Sequence, residues 1–287
     1  MPETAVRRNH GTLIAGLIIL IVGLAVFIAG IVVWKANGVD QYIKTTSFSI
    51  TDQPVDKISK LDISVGSVEI DIKRGGDKLN VYGENLPEDI EKGIQNDTFV
   101  IKTKSKGFGF IMINGTSLNN NILNWMSDQD ISPKLTIEVP DKVFDQINID
   151  LGTGAAKIDG LSAKRFELDL GTGSLTASGL NVEGTLEIDQ GTGHTTITNC
   201  DVGRLDFDGG VGHFEYEGTI KDGLDADCGV GAVDITIKGS YNDYDIDADT
   251  GIGGVDIDKG DTSGSGRGNI PVKIDGGVGS VHLKFVK

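Results

Sequence analysis

The fold of this chain is decided by residues 166–198, which read FELDLGTGSLTASGLNVEGTLEIDQGTGHTTIT. The stretch holds two copies of one pattern: apolar residues at alternate positions, then Asp-x-Gly-x-Gly, then alternation again. Alternation with a period of two is typical of β-strands. Each copy therefore predicts two short strands that meet at a glycine corner.

The same corner recurs along the chain. An eighth, degenerate copy has Ser64 and Gly66 in the two glycine positions. The seven regular glycine pairs begin 19 to 26 residues apart, at Gly152, Gly171, Gly191, Gly210, Gly229, Gly251 and Gly277. A stack of hairpins would not need one composition at every corner, whereas a coil whose successive turns stack in parallel does. We therefore expect an all-β chain, a single-stranded β-helix or β-solenoid of about 19-residue repeats, over residues 58–287.

The composition sets limits on both class and partners. Glycine accounts for 41 of 287 residues and proline for 6, and glycine lacks the three-residue period of collagen. With 38% apolar and 24% charged residues the chain can form a core. The net charge of −16 argues against nucleic acid as a partner, because phosphate recognition needs a basic surface. Cationic partners are favoured instead.

The N-terminal region predicts a membrane anchor. Residues 12–34 contain no charged side chain, and a helix of that length spans the ~30 Å hydrocarbon core. We expect a cytoplasmic tail over 1–11, a transmembrane helix over 12–34 and a linker over 35–57. Arg7 and Arg8 precede the helix, so the positive-inside rule favours a single-pass protein of the cell membrane with an extracellular C-terminal domain. Gly16, Gly23 and Gly30 share one helix face and would allow self-association, although glycine is common in membrane helices anyway.

Two columns of carboxylates are predicted on one outer sheet. The residue two before the first glycine is aspartate in every copy, Asp62 of the degenerate copy included, and the residue two before that is acidic in five. The candidate acidic ligand face consists of Asp150, Asp169, Asp189, Asp208, Asp227, Asp249 and Asp275 in the first column, with Glu167, Glu187, Asp206 and Asp225 in the second. Stacked carboxylates ~4.8 Å apart repel each other. Either each aspartate accepts hydrogen bonds from the backbone of its corner, or the column binds Ca²⁺ or cationic peptides.

An insertion interrupts the first copies at residues 105–132. It combines Phe108 and Phe110 with Trp125 in a segment rich in glycine and asparagine. Long insertions in repeat folds are often functional loops. Two interpretations stay open: the loop contacts lipid or a partner, or it caps the first level of the solenoid.

The sequence offers little for catalysis. His194 and His213 should stack one level apart, but two imidazoles fall short of the three or four ligands that zinc requires, so a metal site stays unknown. Cys200 and Cys228 lie about one and a half levels apart, which is too far for a disulfide. The usual motifs of hydrolases, metalloproteases and nucleotide-binding enzymes are missing from the sequence. We therefore expect no enzyme and no cofactor, with Ca²⁺ as the one open alternative.

Several segments resemble a known family. They are residues 79–87 (LNVYGENLP), 99–110 (FVIKTKSKGFGF) and 133–140 (PKLTIEVP), together with the anchor and the Asp-x-Gly-x-Gly series. They are similar to the bacterial β-strand-repeat proteins labelled putative adhesins, whose membrane-anchored LiaG-type relatives accompany cell-envelope stress systems in Gram-positive bacteria. The resemblance implies a right-handed parallel β-helix outside the cytoplasm. It supplies no catalytic residues.

The favoured hypothesis is a non-enzymatic, membrane-anchored surface protein. Its acidic solenoid would bind cationic peptides or cell-wall components, in sensing or protecting the envelope together with envelope-stress proteins. One alternative is an adhesin or structural stalk that presents its loop to a partner. A glycan-active enzyme is disfavoured, because a uniform carboxylate ladder gives no two carboxyls with contrasting environments.

Overall fold

The computed structural model describes residues 45–53, 55–88, 90–103, 110–113, 116–119, 132–261, 264 and 266–287. The expected cytoplasmic tail, the transmembrane helix over 12–34 with its three glycines, and residues 35–44 of the linker lie outside these residues. Within the described part of the chain, no helix has the length and apolar character needed to cross a bilayer.

The described chain is almost entirely β-structure, which confirms the all-β prediction. One 3₁₀ turn, Tyr241–Asp243, is its single helical element. The strands are β1 (Thr45–Gln53), β2 (Lys60–Ser67), β3 (Glu69–Arg74), β4 (Leu79–Pro87), β5 (Glu91–Gln95), β6 (Thr98–Lys102), β7 (Phe110–Ile113), β8 (Thr116–Asn119), β9 (Lys134–Val139), β10 (Val143–Asp159), β11 (Ser162–Ser178), β12 (Asn181–Lys238), β13 (Tyr244–Asp249), β14 (Ile252–Asp258), β15 (Ile270–Asp275) and β16 (Val278–Val286).

The regular copies stack as coils of a β-solenoid. Strand β10 pairs in parallel with β11 along nearly its whole length, and β11 pairs likewise with the start of β12. Partner residues are 19 apart in the first pairing and mostly 20 in the second, as between Asp150, Asp169 and Asp189. The 58 residues of β12 hold three further levels. The sequence period is therefore the spacing between levels.

Alternate side chains fill the interior of each coil. Ile149, Leu168 and Ile188 occupy equivalent positions in neighbouring levels and are each at most 2% exposed. Phe207 and Phe214 stack inside the core, with ring centroids 3.8 Å apart. Burial of a side chain of this size contributes about 1.5–3 kcal/mol. The period-two pattern thus supplies a continuous apolar core along the stack.

The second glycine of each corner is required by backbone contact. Its φ lies between +143° and +158° in six of the seven regular levels, Gly279 being the exception, and in all seven a Cβ there would lie within 2.2 Å of a carbonyl oxygen of the adjacent level. The residues concerned are Gly154, Gly173, Gly193, Gly212, Gly231, Gly253 and Gly279. Both the positive φ and the close approach exclude a side chain. The excess of glycine is thereby explained by two stacked columns of backbone.

The degenerate first copy aligns differently from the prediction. Gly66 stacks against Gly152, and Ser64 pairs with Asp150. Asp62 pairs with Asn148, in the second acidic column, so its expected place in the aspartate column was wrong. The register is set by the buried Leu61, Ile63 and Val65, and a shift of two residues preserves their inward orientation. Apolar alternation alone could not distinguish the two alignments.

The last two levels do not follow chain order. Strands β15 and β16 pair in parallel with the last level of β12 on one side and with β13 and β14 on the other. The coil formed by residues 270–286 is therefore inserted between two coils that precede it in the sequence. The outermost level is the coil of β13 and β14.

The opposite end is closed by antiparallel strands. Strands β6 and β9 form the coil next to β2 and β3, and residues 103–133 connect them. Strand β5 then pairs antiparallel with β6, β4 with β9, and β1 with β4. Strand β1 lies within the expected linker. In the insertion itself, β7 and β8 pair in a separate two-stranded sheet.

Candidate functional site

The aspartates of the regular copies form one column on the outer surface. Asp150, Asp169 and Asp189 pair across successive levels, and at the other end Asp227, Asp275 and Asp249 do so in that order. Asp208 occupies the intervening level of β12, next to Asp189. All are exposed except the half-buried Asp150. Stacking of the parallel coils thus brings together the residues that the spacing predicted.

The middle of this aspartate column disfavours the charged form of Asp189. The pKa of Asp189 is raised above its ordinary value, first by partial burial and then by the charges of Asp169 and Asp208 and a hydrogen bond with Asp169. Within the described residues no basic side chain forms an ion pair with Asp169, Asp189, Asp208 or Asp227. These four aspartates therefore present uncompensated negative charge.

At the C-terminal end of the column, backbone N–H groups of the corners donate to the aspartates. The N–H of Gly277 donates to Asp275 Oδ1 at 3.0 Å, and the N–H of Thr250 donates to Asp249 Oδ1 at 2.7 Å. At the other end Ser64 Oγ donates to Asp150 at 3.0 Å. Equivalent backbone bonds to the four aspartates between them are absent from the described structure. Hydrogen bonding to the corner backbone therefore does not account for the aspartates in the middle of the column.

A groove of about 730 Å³ runs beside the aspartate column. Aspartates from four levels line it, together with the first glycines of the corners and the side chains of Leu151, Leu170 and Gln190. Gln190 is 5% exposed, and its amide is engaged, because Thr195 Oγ1 donates to Oε1 at 2.6 Å and Nε2 donates to Gly173 O at 3.2 Å. The groove thus has an acidic wall, and the Gln190 amide in its lining is held by two hydrogen bonds.

An exposed apolar stripe accompanies the column at one end. It consists of the residue between the two glycines in four adjacent levels: Val211 (51% exposed), Val230 (47%), Val278 (45%) and Ile252 (71%). Each lies three residues after the aspartate of its own level. The stripe was not predicted, although valine or isoleucine in place of Thr153, Thr172 and Thr192 was visible in the sequence.

Arginines compensate the second acidic column, unlike the four middle aspartates of the first. Arg165 donates to Glu167 at 2.5 Å and to Glu187 at 2.7 Å, and the pKa of its guanidinium is raised mainly by the bond to Glu167. Arg204 lies 2.6 Å from Asp206 and 3.7 Å from Asp225. Neither arginine was among the predicted site residues. The signal was available, because each precedes an acidic residue by two positions and so lies on the same face of the strand.

The histidines, the cysteines and the aromatic residues of the insertion were the other predicted candidates for metal, disulfide or partner contacts. His194 and His213 stack with ring centroids 5.3 Å apart, as predicted, and His213 Nε2 lies 3.3 Å from Asp234. Within the described residues no three metal-ligating side chains converge on one point. Cys200 and Cys228 are buried and unpaired. Phe108 and Trp125 lie outside the described residues, and Phe110 begins β7.

Residues 58–283 match the sequence profile of the family described as Toastrack DUF4097. The chain belongs to the Toastrack DUF4097 family. Three solved structures are similar to this Toastrack chain. A putative cell adhesion protein from Clostridium sporogenes is 17% identical, with a TM-score of 0.39, and the match covers 85% of this chain and all of the other. A putative adhesin from Bacteroides fragilis is 14% identical, with a TM-score of 0.35, over 84% and 97% of the two chains. A putative lipid binding protein from Parabacteroides distasonis is 13% identical, with a TM-score of 0.33, over 85% and 97%. Among proteins of curated function, none matches the sequence.

Proposed function

We propose that this Toastrack protein is a non-enzymatic surface protein that binds cationic ligands along its aspartate column. The observation that carries the proposal is the contrast between the two acidic columns: arginines neutralise the second, whereas Asp169, Asp189, Asp208 and Asp227 have no described basic partner. A line of uncompensated charge attracts cations and cationic chains. Repulsion within the column falls when such a ligand binds, so binding offsets a cost that folding imposes.

The chemistry of the ligand follows from the groove and the stripe. Carboxylates recur at every level, about 4.8 Å apart, so the long, flexible basic side chains of an extended peptide or polymer laid along the column can each reach one. The valines beside the last levels would contact an apolar face of the same ligand. Cationic amphipathic peptides and basic cell-wall components meet both requirements. Ca²⁺ would compete for the same carboxylates.

A matched pair of variants tests this proposal. One replaces Asp169, Asp189, Asp208 and Asp227 by asparagine, and the other replaces Glu167, Glu187, Asp206 and Asp225 by glutamine or asparagine, so both remove four negative charges. We expect binding of an oligolysine peptide, measured by titration calorimetry, to weaken about tenfold or more in the first variant and less in the second. Equal losses would mean that net charge alone attracts the peptide, and unchanged binding by the first variant would refute the site.

Location and membrane anchoring are part of the same proposal. We propose that residues 12–34 anchor the chain in the cell membrane, that residues 1–11 are cytoplasmic, and that the solenoid is extracellular. Right-handed coiling is proposed as well, since crossovers between parallel strands are right-handed in about 98% of cases. Protease treatment of intact cells should digest the solenoid and leave an N-terminal tag protected. Protection of the solenoid in intact cells would contradict this orientation.

The family resemblance suggests the physiological setting. A LiaG-type role in sensing or protecting the envelope of a Gram-positive bacterium would place an acidic binder where cationic peptides first arrive. Deletion of the gene should then raise the sensitivity of cells to cationic peptides, and the first-column variant should fail to restore resistance. If that variant restored resistance, the protective role would not depend on peptide binding by the aspartate column.

A stalk or adhesin role is the second candidate. The observation in its favour is the 31-residue connection at 103–133, which interrupts one coil between β6 and β9. Removal of residues 105–132 should abolish attachment to a partner or cell while leaving oligolysine binding intact. Attachment that survives the deletion would refute this role.

A further inference from the structure

The outermost coil of the C-terminal end has an open edge. Strands β13 and β14 pair with β15 and β16 on their inner side. On the outer side, the described residues pair only at the start of β13, where Asp245 bridges to Arg267 and the N–H of Gly268 donates to Tyr244 O at 2.9 Å. From Ile246 to Asp258 the outer edge has no described strand beside it. Such an edge is a template for another strand.

The core is also incompletely covered at this end. Val255 is 37% exposed, whereas its partner Val281 in the next coil inward is fully buried. Ile257 is half-buried, whereas its partner Leu283 is 1% exposed. The antiparallel strands that close the opposite end have no counterpart among the described residues here. The edge and the apolar side chains beneath it are therefore accessible together.

The coil one level inward shows which kind of strand fits this surface. It carries Lys273, His282 and Lys284, which pair with Asp247, Asp256 and Asp258 of the outermost coil. Lys273 also pairs with Asp225 of β12, with Nζ 3.6 Å from Oδ1, and so lies between two acidic levels. The outermost coil itself, residues 244–258, has five aspartates and no basic residue.

Because side chains stand roughly perpendicular to a sheet, each aspartate faces the levels above and below it alike. The outer edge thus presents the same acidic positions that lie in register with Lys273, His282 and Lys284 of the inner coil. A second copy of this edge would set aspartate against aspartate, and charged edges of this kind oppose pairing between identical chains.

We propose that the outer edge of β13 and β14 docks an extended segment of another protein, in which basic and apolar residues alternate, as one further parallel level. The backbone of the edge supplies the hydrogen bonds, Asp247, Asp256 and Asp258 receive the basic side chains, and Val255 and Ile257 become buried. Strand addition of this kind draws affinity from the backbone and specificity from alternate side chains.

The probe for this site is a synthetic peptide with the sequence of residues 270–287, added to the full-length chain in detergent. Because Ile252 N–H donates inward to Gly277 O at 2.9 Å, alternation of amides makes the N–H groups of Val255 and Ile257 point outward. Hydrogen exchange with the peptide bound should slow at these two amides. A peptide with glutamine at positions 273, 282 and 284 should bind about tenfold more weakly.

Three other patterns of protection would overturn the proposal. Protection confined to the last level of β12 would mean that the peptide displaces β15 and β16. Protection elsewhere would place the peptide at another site. Protection of Val255 and Ile257 that appears without peptide and grows with protein concentration would identify a second copy as the occupant.

A matched pair of variants separates this site from the aspartate column. Replacement of Asp247, Asp256 and Asp258 by asparagine should raise the peptide concentration needed to protect the amides of Val255 and Ile257, whereas the same change at Asp169, Asp189 and Asp208, which removes binding at the column alone, should leave that concentration within about twofold of the wild type. Equal losses would show unspecific attraction and refute the edge site. If the edge variant is unstable, the comparison of the wild-type peptide with the glutamine peptide on the unmodified protein still tests the edge site.

Discussion

Replacement of Gly173 by alanine should cost about 4 kcal/mol of folding free energy. Gly173 has a φ of +152°, and an added Cβ would lie 1.7 Å from the carbonyl oxygen of Gly154 in the adjacent level. An ordinary contact needs at least 3.4 Å, so the two levels would have to separate locally by more than 1 Å. The pairing of β10 with β11 on both sides of the corner resists that separation.

The magnitude is the sum of two costs. A non-glycine residue held in this backbone region costs about 1–3 kcal/mol, and forcing an extra methyl group into a packed site costs about 1–3 kcal/mol more. Their sum is a large share of the 5–15 kcal/mol by which a typical domain is stable. For a domain of this size the expected fall in Tm is roughly 8–16 °C.

The control is Gly254→Ala in β14. It too lies in a glycine-rich corner, but a Cβ there meets nothing within 4 Å, and its φ lies outside the glycine-specific region. Both variants should be melted and titrated with urea, with far-UV circular dichroism as the signal. A Gly173→Ala protein that unfolds within about 2 °C of the control would refute the claim that close backbone stacking fixes the glycines.

Three further predictions concern charge and burial. Asp189→Asn should raise the free energy of unfolding by about 0.5 kcal/mol at neutral pH, because the raised pKa of Asp189 means that folding disfavours its charged carboxylate. The gain should vanish as the pH falls through that pKa. A gain that stays constant across pH in urea titrations would contradict this. Asp275→Ala should instead cost about 1 kcal/mol through loss of its bond to the corner N–H, and an unchanged urea midpoint would count against that bond. The thiol of Cys200, which is 1% exposed and whose pKa burial raises to about 11, should react with an alkylating reagent only as fast as the protein unfolds; rapid labelling of the native protein would show that the site is open.

The regular part of the fold was predictable because every level has the same apolar alternation and the same glycine corner. The alternation around Leu168 and Ile188 defines which side chains point inward, and the glycine pairs define where the chain turns. Identical period and identical corners leave parallel stacking as the arrangement that satisfies every copy. The placement of Asp169 beside Asp189 followed from the same reasoning.

The ends were harder to predict, because there the repeat no longer determines the neighbour. Either alignment of Asp62 keeps the buried residues inside, so the choice depends on backbone packing at Gly66. The insertion of residues 270–286 between two earlier coils places Lys273 between Asp225 and Asp247, a preference that depends on charges remote in sequence. The strand pattern places Arg165 beside Glu167 and Arg204 beside Asp206, but it does not specify that each arginine also reaches the acidic residue of the next level, as Arg165 reaches Glu187.

The inserted coil also bears on how the protein is made. Residues 244–258 leave the ribosome before residues 270–286, yet their place in the stack is built on that later segment. Assembly therefore cannot proceed strictly in the order of synthesis at this end. An acidic strand must wait without its final neighbour until the basic segment has emerged.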